Sequence, residues 1–118
     1  MARSFHRAIR AAALSEGTLV RVDVNGWPVL LARNEGKPYA TLDRCSHAGS
    51  ALSIGRLRRG VVMCPLHGAR FELATGRCIG GPYDPLMIFE TRLDEDWIAV
   101  AVPDGPAGFE HMPLPARN

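Results

Sequence analysis

Short apolar runs punctuated by Gly, Pro, Asn and Asp fill most of this chain, and helical periodicity is nearly absent. That pattern predicts an all-β domain built from hairpins. Residues 18–24 read as a strand, Asn25-Gly26 as a tight turn and residues 27–33 as the returning strand, because Asn-Gly readily takes the positive φ values of a hairpin turn. Residues 34–37 turn the chain into a third strand over 38–42. Residues 43–60 hold too many Gly and Ser for regular structure. A short strand over 61–64 then pairs with residues 69–73 across a loop at 65–68, and Thr75-Gly76 turns again. After the Gly/Pro loop CIGGPYDP, two longer strands over 86–93 and 97–102 flank the acidic turn Asp94-Glu95-Asp96. The order suggests an antiparallel β-sandwich or barrel base drawn from both ends of the chain, with hairpin loops inserted between.

Those inserted loops carry the chemistry. Cys45-Ser46-His47 is followed, after sixteen residues, by Cys64-Pro65-Leu66-His67-Gly68. Each segment offers one soft sulfur ligand and one nitrogen ligand, a set that suits two irons of unequal character. A structural Cys2His2 zinc site is the competing reading, although zinc sites favour CxxC and HxxxH spacings.

Residues 44–86, RCSHAGSALSIGRLRRGVVMCPLHGARFELATGRCIGGPYDPL, resemble the Rieske-type [2Fe-2S] ferredoxins of bacterial aromatic-ring-hydroxylating dioxygenase systems, and weaker similarity runs from about Phe5 to Val102. The resemblance implies one [2Fe-2S] cluster, with Cys45 and Cys64 on a buried inner iron and His47 and His67 on an outer iron near the surface. It implies a Rieske fold with a cluster-binding subdomain of two hairpin loops at about 43–85, in a single domain over 1–103. It also implies a one-electron carrier, not itself an enzyme, between an NAD(P)H-dependent flavin reductase and a terminal aromatic-ring-hydroxylating oxygenase. A Rieske-like small subunit of an assimilatory nitrite reductase is the alternative. Many members of that group lack the ligands, whereas all four are present here.

Departures from the high-potential branch of the family refine the expectation. Ser50 and Leu66 stand where that branch has an additional disulfide, and Ala69 and Phe71 stand where it has hydroxyl donors. Hydrogen bonds to cluster sulfur favour the reduced, more negative state, so their loss lowers the potential. The expected midpoint is on the order of −150 mV, nearly independent of pH around neutrality. Gly49, Gly68, Gly80 and Gly81 read as turn or close-approach devices, and Pro82 as the stiffener of a third loop shielding the cluster.

Composition narrows the rest. At 118 residues and 47% apolar content the chain suits one domain and one core, and its net charge of +2 is too small to imply nucleic acid or a membrane surface as partner. No stretch approaches the roughly 18 apolar residues of a membrane span. Two of the three Cys belong to the motif, leaving Cys78 without a disulfide partner and reading as a small packed residue; a reducing, cytoplasmic location is expected. The Arg-rich, acid-free start MARSFHRAIRAAALS has the look of a transit peptide, but its continuation into the first strand favours a domain that begins almost at residue 1. Only His6 and His111 remain once His47 and His67 are used, too few for a second, mononuclear iron site, and no strand is followed by GxGxxG, so neither oxygenase nor reductase chemistry fits. Arg56, Arg58, Arg59, Arg70 and Arg77 flank the motif as a solvated rim or a docking surface for acidic redox partners. Trp27 and Trp97 read as packing residues. Residues 104–118, rich in Pro, predict an extended, mobile tail, and a monomer is expected.

Overall fold

The computed structural model describes residues 2–114. Its strands are β1 (Arg3–Arg10), β2 (Leu19–Val24), β3 (Trp27–Asn34), β4 (Lys37–Leu42), β5 (Arg56–Arg58), β6 (Val61–Met63), β7 (Arg70–Glu72), β8 (Cys78–Ile79), β9 (Ile88–Phe89), β10 (Thr91–Asp94) and β11 (Trp97–Pro103). Two single-turn 3-10 segments, Ala11–Ala13 and Phe109–His111, complete the described elements, none of which is an α-helix. Three antiparallel sheets result, with strand orders β1-β11-β10, β2-β3-β4-β9 and β5-β6-β7-β8. The first sheet joins the two ends of the chain, since Arg3 pairs with Pro103 and Arg10 with Trp97.

β3 organises the molecule. Its run Trp27 to Ala32 is buried throughout, and the two-residue period sends alternate side chains into two separate cores. Trp27, Val29 and Leu31 pack with Leu42, Phe89, Ile98, Val100 and Val102 between the first two sheets. Leu30 and Ala32 face the other way and join Cys45, Leu52, Val62, Cys64, Phe71 and Leu73. Full burial of such side chains is worth about 1.5–3 kcal/mol each, so β3 anchors the metal-binding loops to the base through its second face.

Three stretches differ from the sequence expectation. Residues 43–60 are not wholly irregular, because Arg56–Arg58 forms a strand whose Arg58 pairs with Val61 across a two-residue turn. That turn is Arg59-Gly60, with φ of 52° and 77°, the same pair of left-handed residues as Asn25-Gly26 at 50° and 82°. Its Arg hides the signal that Asn displays. The strand expected over 86–93 is broken at Glu90: Phe89 pairs with Ala40 in the second sheet, and Thr91 pairs with Val100 in the first. The chain changes sheets there. Finally, Cys78–Ile79 within the Gly/Pro loop adds a short strand to β7.

The segment after Pro103 is not free along its described length. Trp27 Nε1 donates to the Gly105 carbonyl at 3.0 Å, and the His111 ring lies 4.6 Å from the Trp27 ring. Farther on, Leu114 N–H donates to the Gly49 carbonyl at 2.8 Å and Arg44 Nη1 to the Met112 carbonyl at 2.5 Å. The tail thus crosses the base and ends against the first ligand loop. Residues 115–118, part of the expected mobile tail, lie outside the described residues.

Candidate metal centre

The two motif segments fold into near-copies of one loop. Cys45 N–H donates to the Ser50 carbonyl and Gly49 N–H to the Cys45 carbonyl, both at 2.8 Å. Cys64 N–H donates to the Ala69 carbonyl at 2.8 Å and Gly68 N–H to the Cys64 carbonyl at 3.1 Å. Each loop therefore closes from Cys to the fifth residue on and turns through a Gly at the fourth. Both glycines have φ of 73°, a left-handed conformation that any side chain would strain. The shared Cys-x3-Gly spacing is visible in the sequence once the loops are laid side by side.

Burial separates the two donor types. Cys45 and Cys64 are 0% and 1% exposed within the second core, whereas His47 and His67 are exposed. The imidazole ring centres lie 5.3 Å apart. Burial pushes the Cys45 thiol above its ordinary range; backbone N–H groups of Ala48 and His47 pull it back, and the neighbouring Cys64 thiol raises it again. Two buried sulfurs side by side in an apolar core are soft donors suited to hold iron. Two sulfurs below and two imidazoles above suit a binuclear centre with a pair of ligands on each metal better than a single zinc.

Several supporting residues escaped the sequence reading. Asp43, 0% exposed, accepts hydrogen bonds from Ser53 N–H and Ser53 Oγ, each at 2.7 Å, and stands 3.9 Å from Arg21 Nε. It ties the start and end of the first ligand loop together, two residues before Cys45. Tyr83 lies flat on His47, with ring centres 3.9 Å apart and planes 13° from parallel. Ser46 Oγ donates to the Asp84 carbonyl at 2.5 Å, so the third loop is fastened to the first. Pro82 is in that loop, but the residue in contact is Tyr83, whose only sequence signal is an aromatic amid Gly and Pro. At Gly55 a side chain is impossible, since a Cβ would come within 2.0 Å of the Met63 carbonyl oxygen; the first ligand loop rests directly on the β6 backbone there.

Ala69 and Phe71 are buried in the second core and bring no hydroxyl to the sulfurs. Cys78 packs at the edge of that core from β8, and Trp27 is a core residue. His6 sits in β1 and His111 packs on Trp27, accepting a hydrogen bond from Gly108 N–H at Nδ1.

Comparison with known proteins agrees with this geometry. Residues 4–95 match the family model of the Rieske [2Fe-2S] domain. The chain belongs to the Rieske family. It is therefore a Rieske protein with one [2Fe-2S] cluster. This Rieske chain is 38% identical over 93 residues to the ferredoxin component of a biphenyl 2,3-dioxygenase from Rhodococcus jostii (strain RHA1), covering 78% of itself and 87% of that protein. It is 37% identical over 93 residues to ferredoxin CarAc of Metapseudomonas resinovorans, covering 77% and 87% of the two chains. Among solved structures it superposes, with a TM-score of 0.77 and 34% identity, on a chain from the complex of reduced oxygenase and oxidized ferredoxin in carbazole 1,9a-dioxygenase, over 82% of this chain and 92% of that one. No helix among its described residues is long and apolar enough to cross a membrane.

Proposed function

We propose that this Rieske protein is the cytoplasmic ferredoxin component of an aromatic-ring-hydroxylating dioxygenase system, taking electrons one at a time from an NAD(P)H-dependent flavin reductase and passing them to a terminal oxygenase. The observation that carries the proposal is the pairing of two exposed imidazoles with two buried thiols on one rigid subdomain. Cys45 and Cys64 would hold one iron of the cluster, and His47 and His67 the other. When bound, the cluster supplies a reversible one-electron change. The thiolates would favour ferric iron, so the imidazole-held iron would be the one more easily reduced. His47 and His67 bring that side to the surface, Tyr83 covers one face of His47, and the apolar second core keeps water from the sulfurs.

The ferredoxin relatives are 38% and 37% identical to this chain, whereas the solved structure named for a nitrite reductase small subunit, which shares its fold, is 20% identical, which favours a diffusing carrier over the nitrite reductase subunit reading. Anaerobic stopped-flow mixing tests the proposal. Reduced protein mixed with the oxidised terminal oxygenase of the carbazole 1,9a-dioxygenase system should reoxidise in a single second-order phase, at about 10⁵–10⁷ M⁻¹s⁻¹. Reoxidation no faster than in buffer, or recovery of the chain only in complex with a sirohaem subunit, would sink it.

A further inference from the structure

The motif subdomain has a face that the cluster does not use. Across β5, β6, β7 and β8 the register sets Arg56 opposite Met63, Met63 opposite Arg70 and Arg70 opposite Ile79. The adjoining row sets Leu57 opposite Val62 and Phe71 opposite Cys78, and that row packs inward on the second core. The Arg-Met-Arg-Ile row therefore faces out. Arg58 and Val61, one pleat farther along, lie on the same outer face, and Arg59 occupies the turn between them.

Together these residues line a groove of about 460 Å³, with four guanidinium groups around a floor of Val61, Met63 and Ile79. Arg56, Arg58, Arg59 and Arg70 are exposed, and no carboxylate among the described residues pairs with them, whereas Arg77 has Glu72 at 3.5 Å. The whole stretch 43–85 holds six Arg against three acids, of which Asp43 is buried and Glu72 is already paired. Like charges crowded on one sheet face repel each other, so nothing within the fold favours the arrangement.

The groove also continues to the ligand loop. Arg56 and Met63 line a second depression with Ile54, Cys64, Pro65 and Gly68. Three of the large apolar side chains left exposed lie along this path, Ile54 at 61%, Leu66 at 50% and Met63 at 39%. An apolar patch beside His67 running into a cationic groove is the layout of a recognition surface: apolar contact near the site of transfer and opposite charge to orient the encounter. The other flank differs, since Tyr83 lies over His47.

We propose that this surface, from the His67 loop across the outer face of β5, β6 and β7, is where the terminal oxygenase docks, and that the oxygenase meets it with a carboxylate-rich edge. This rests on the carrier reading above and adds the face used and the chemistry of the partner. Arg56→Glu/Arg58→Glu tests it against Arg10→Glu/Arg92→Glu, which makes the same change of net charge on the first sheet. Both variants are first checked for unchanged iron content, visible circular dichroism and thermal midpoint. Reoxidation is then followed with two oxidants, the terminal oxygenase of the carbazole system and the small anion Fe(EDTA)⁻. With wild type both rates should fall about tenfold between low and high salt, and the groove variant should be slower by about tenfold or more at low salt and nearly salt-independent. Salt-independent wild-type rates with both oxidants, or equal slowing in the two variants, would overturn the proposal. If the oxygenase accepts no electrons from wild type while Fe(EDTA)⁻ still distinguishes the groove variant, the cationic surface stands and it is the oxygenase assignment that fails.

Discussion

Cys64→Ser is expected to emerge from expression with under about a tenth of the wild-type iron and with a thermal midpoint lower by on the order of 10 °C. Cys64 is 1% exposed and sits at the head of the second ligand loop, its N–H and carbonyl both engaged in closing that loop. A serine oxygen is a hard donor that stays protonated at neutral pH, so it cannot replace a thiolate on iron. Left without metal, the hydroxyl is a buried polar group with no partner, which costs about 1–3 kcal/mol, and the binding free energy of the cluster is lost as well. Cys78→Ser is the matched control. Its side chain lies at the edge of the same core but outside either loop, so iron and sulfide content should be unchanged. Colour and full iron retained in Cys64→Ser would remove Cys64 from the ligand set.

Asp43→Ala should destabilise the protein by about 3 kcal/mol and shorten the life of the cluster in air several-fold, although Asp43 touches no metal ligand directly. The substitution removes both acceptors of the Ser53 N–H and Oγ, leaving the N–H of a loop residue unpaired where water has little access. It also removes the anion facing Arg21, but Arg21 is partly exposed and that ion pair is long, so most of the cost comes from the two short bonds. Asp43→Asn keeps the shape and one acceptor, and should lose about half as much. Urea unfolding of the two variants measures the first effect, and bleaching of the visible absorbance the second. An Asp43→Ala protein within about 0.5 kcal/mol of wild type would show that the first ligand loop is held by packing alone.

What could be read directly from the sequence had strong local chemistry behind it. Asn25-Gly26 announces its hairpin because both residues tolerate positive φ, and Cys45, His47, Cys64 and His67 stand out as a paired donor set because few structural roles need thiols and imidazoles at that spacing. The doubly buried β3 is legible too, as an unbroken apolar run. The features that stayed hidden depend on partners distant in sequence. Arg59 adopts the turn conformation of Asn25 only because β5 and β6 demand it, and Glu90 interrupts the strand expected over 86–93 because the chain crosses between sheets there. Asp43 looks like an ordinary residue at a strand end until Ser53 folds back on it, and Tyr83 acquires a role only when the third loop meets the first. The Pro-rich tail lacks any strand pattern, yet it is held to the base and the first ligand loop through Trp27, Arg44 and Gly49. Backbone carbonyls receive those bonds, and composition says nothing about them.

One measurement bears on the centre as a whole: protein-film voltammetry of the purified, iron-loaded chain. Two imidazoles on one iron, with Ala69 and Phe71 in place of hydroxyl donors, place the midpoint on the order of −150 mV. A single one-electron wave near that value, flat in pH around 7, is the expected result. A midpoint near about −400 mV would signal all-thiolate ligation, and one above about +100 mV would mean that the sulfurs receive the hydrogen bonds this chain is argued to lack.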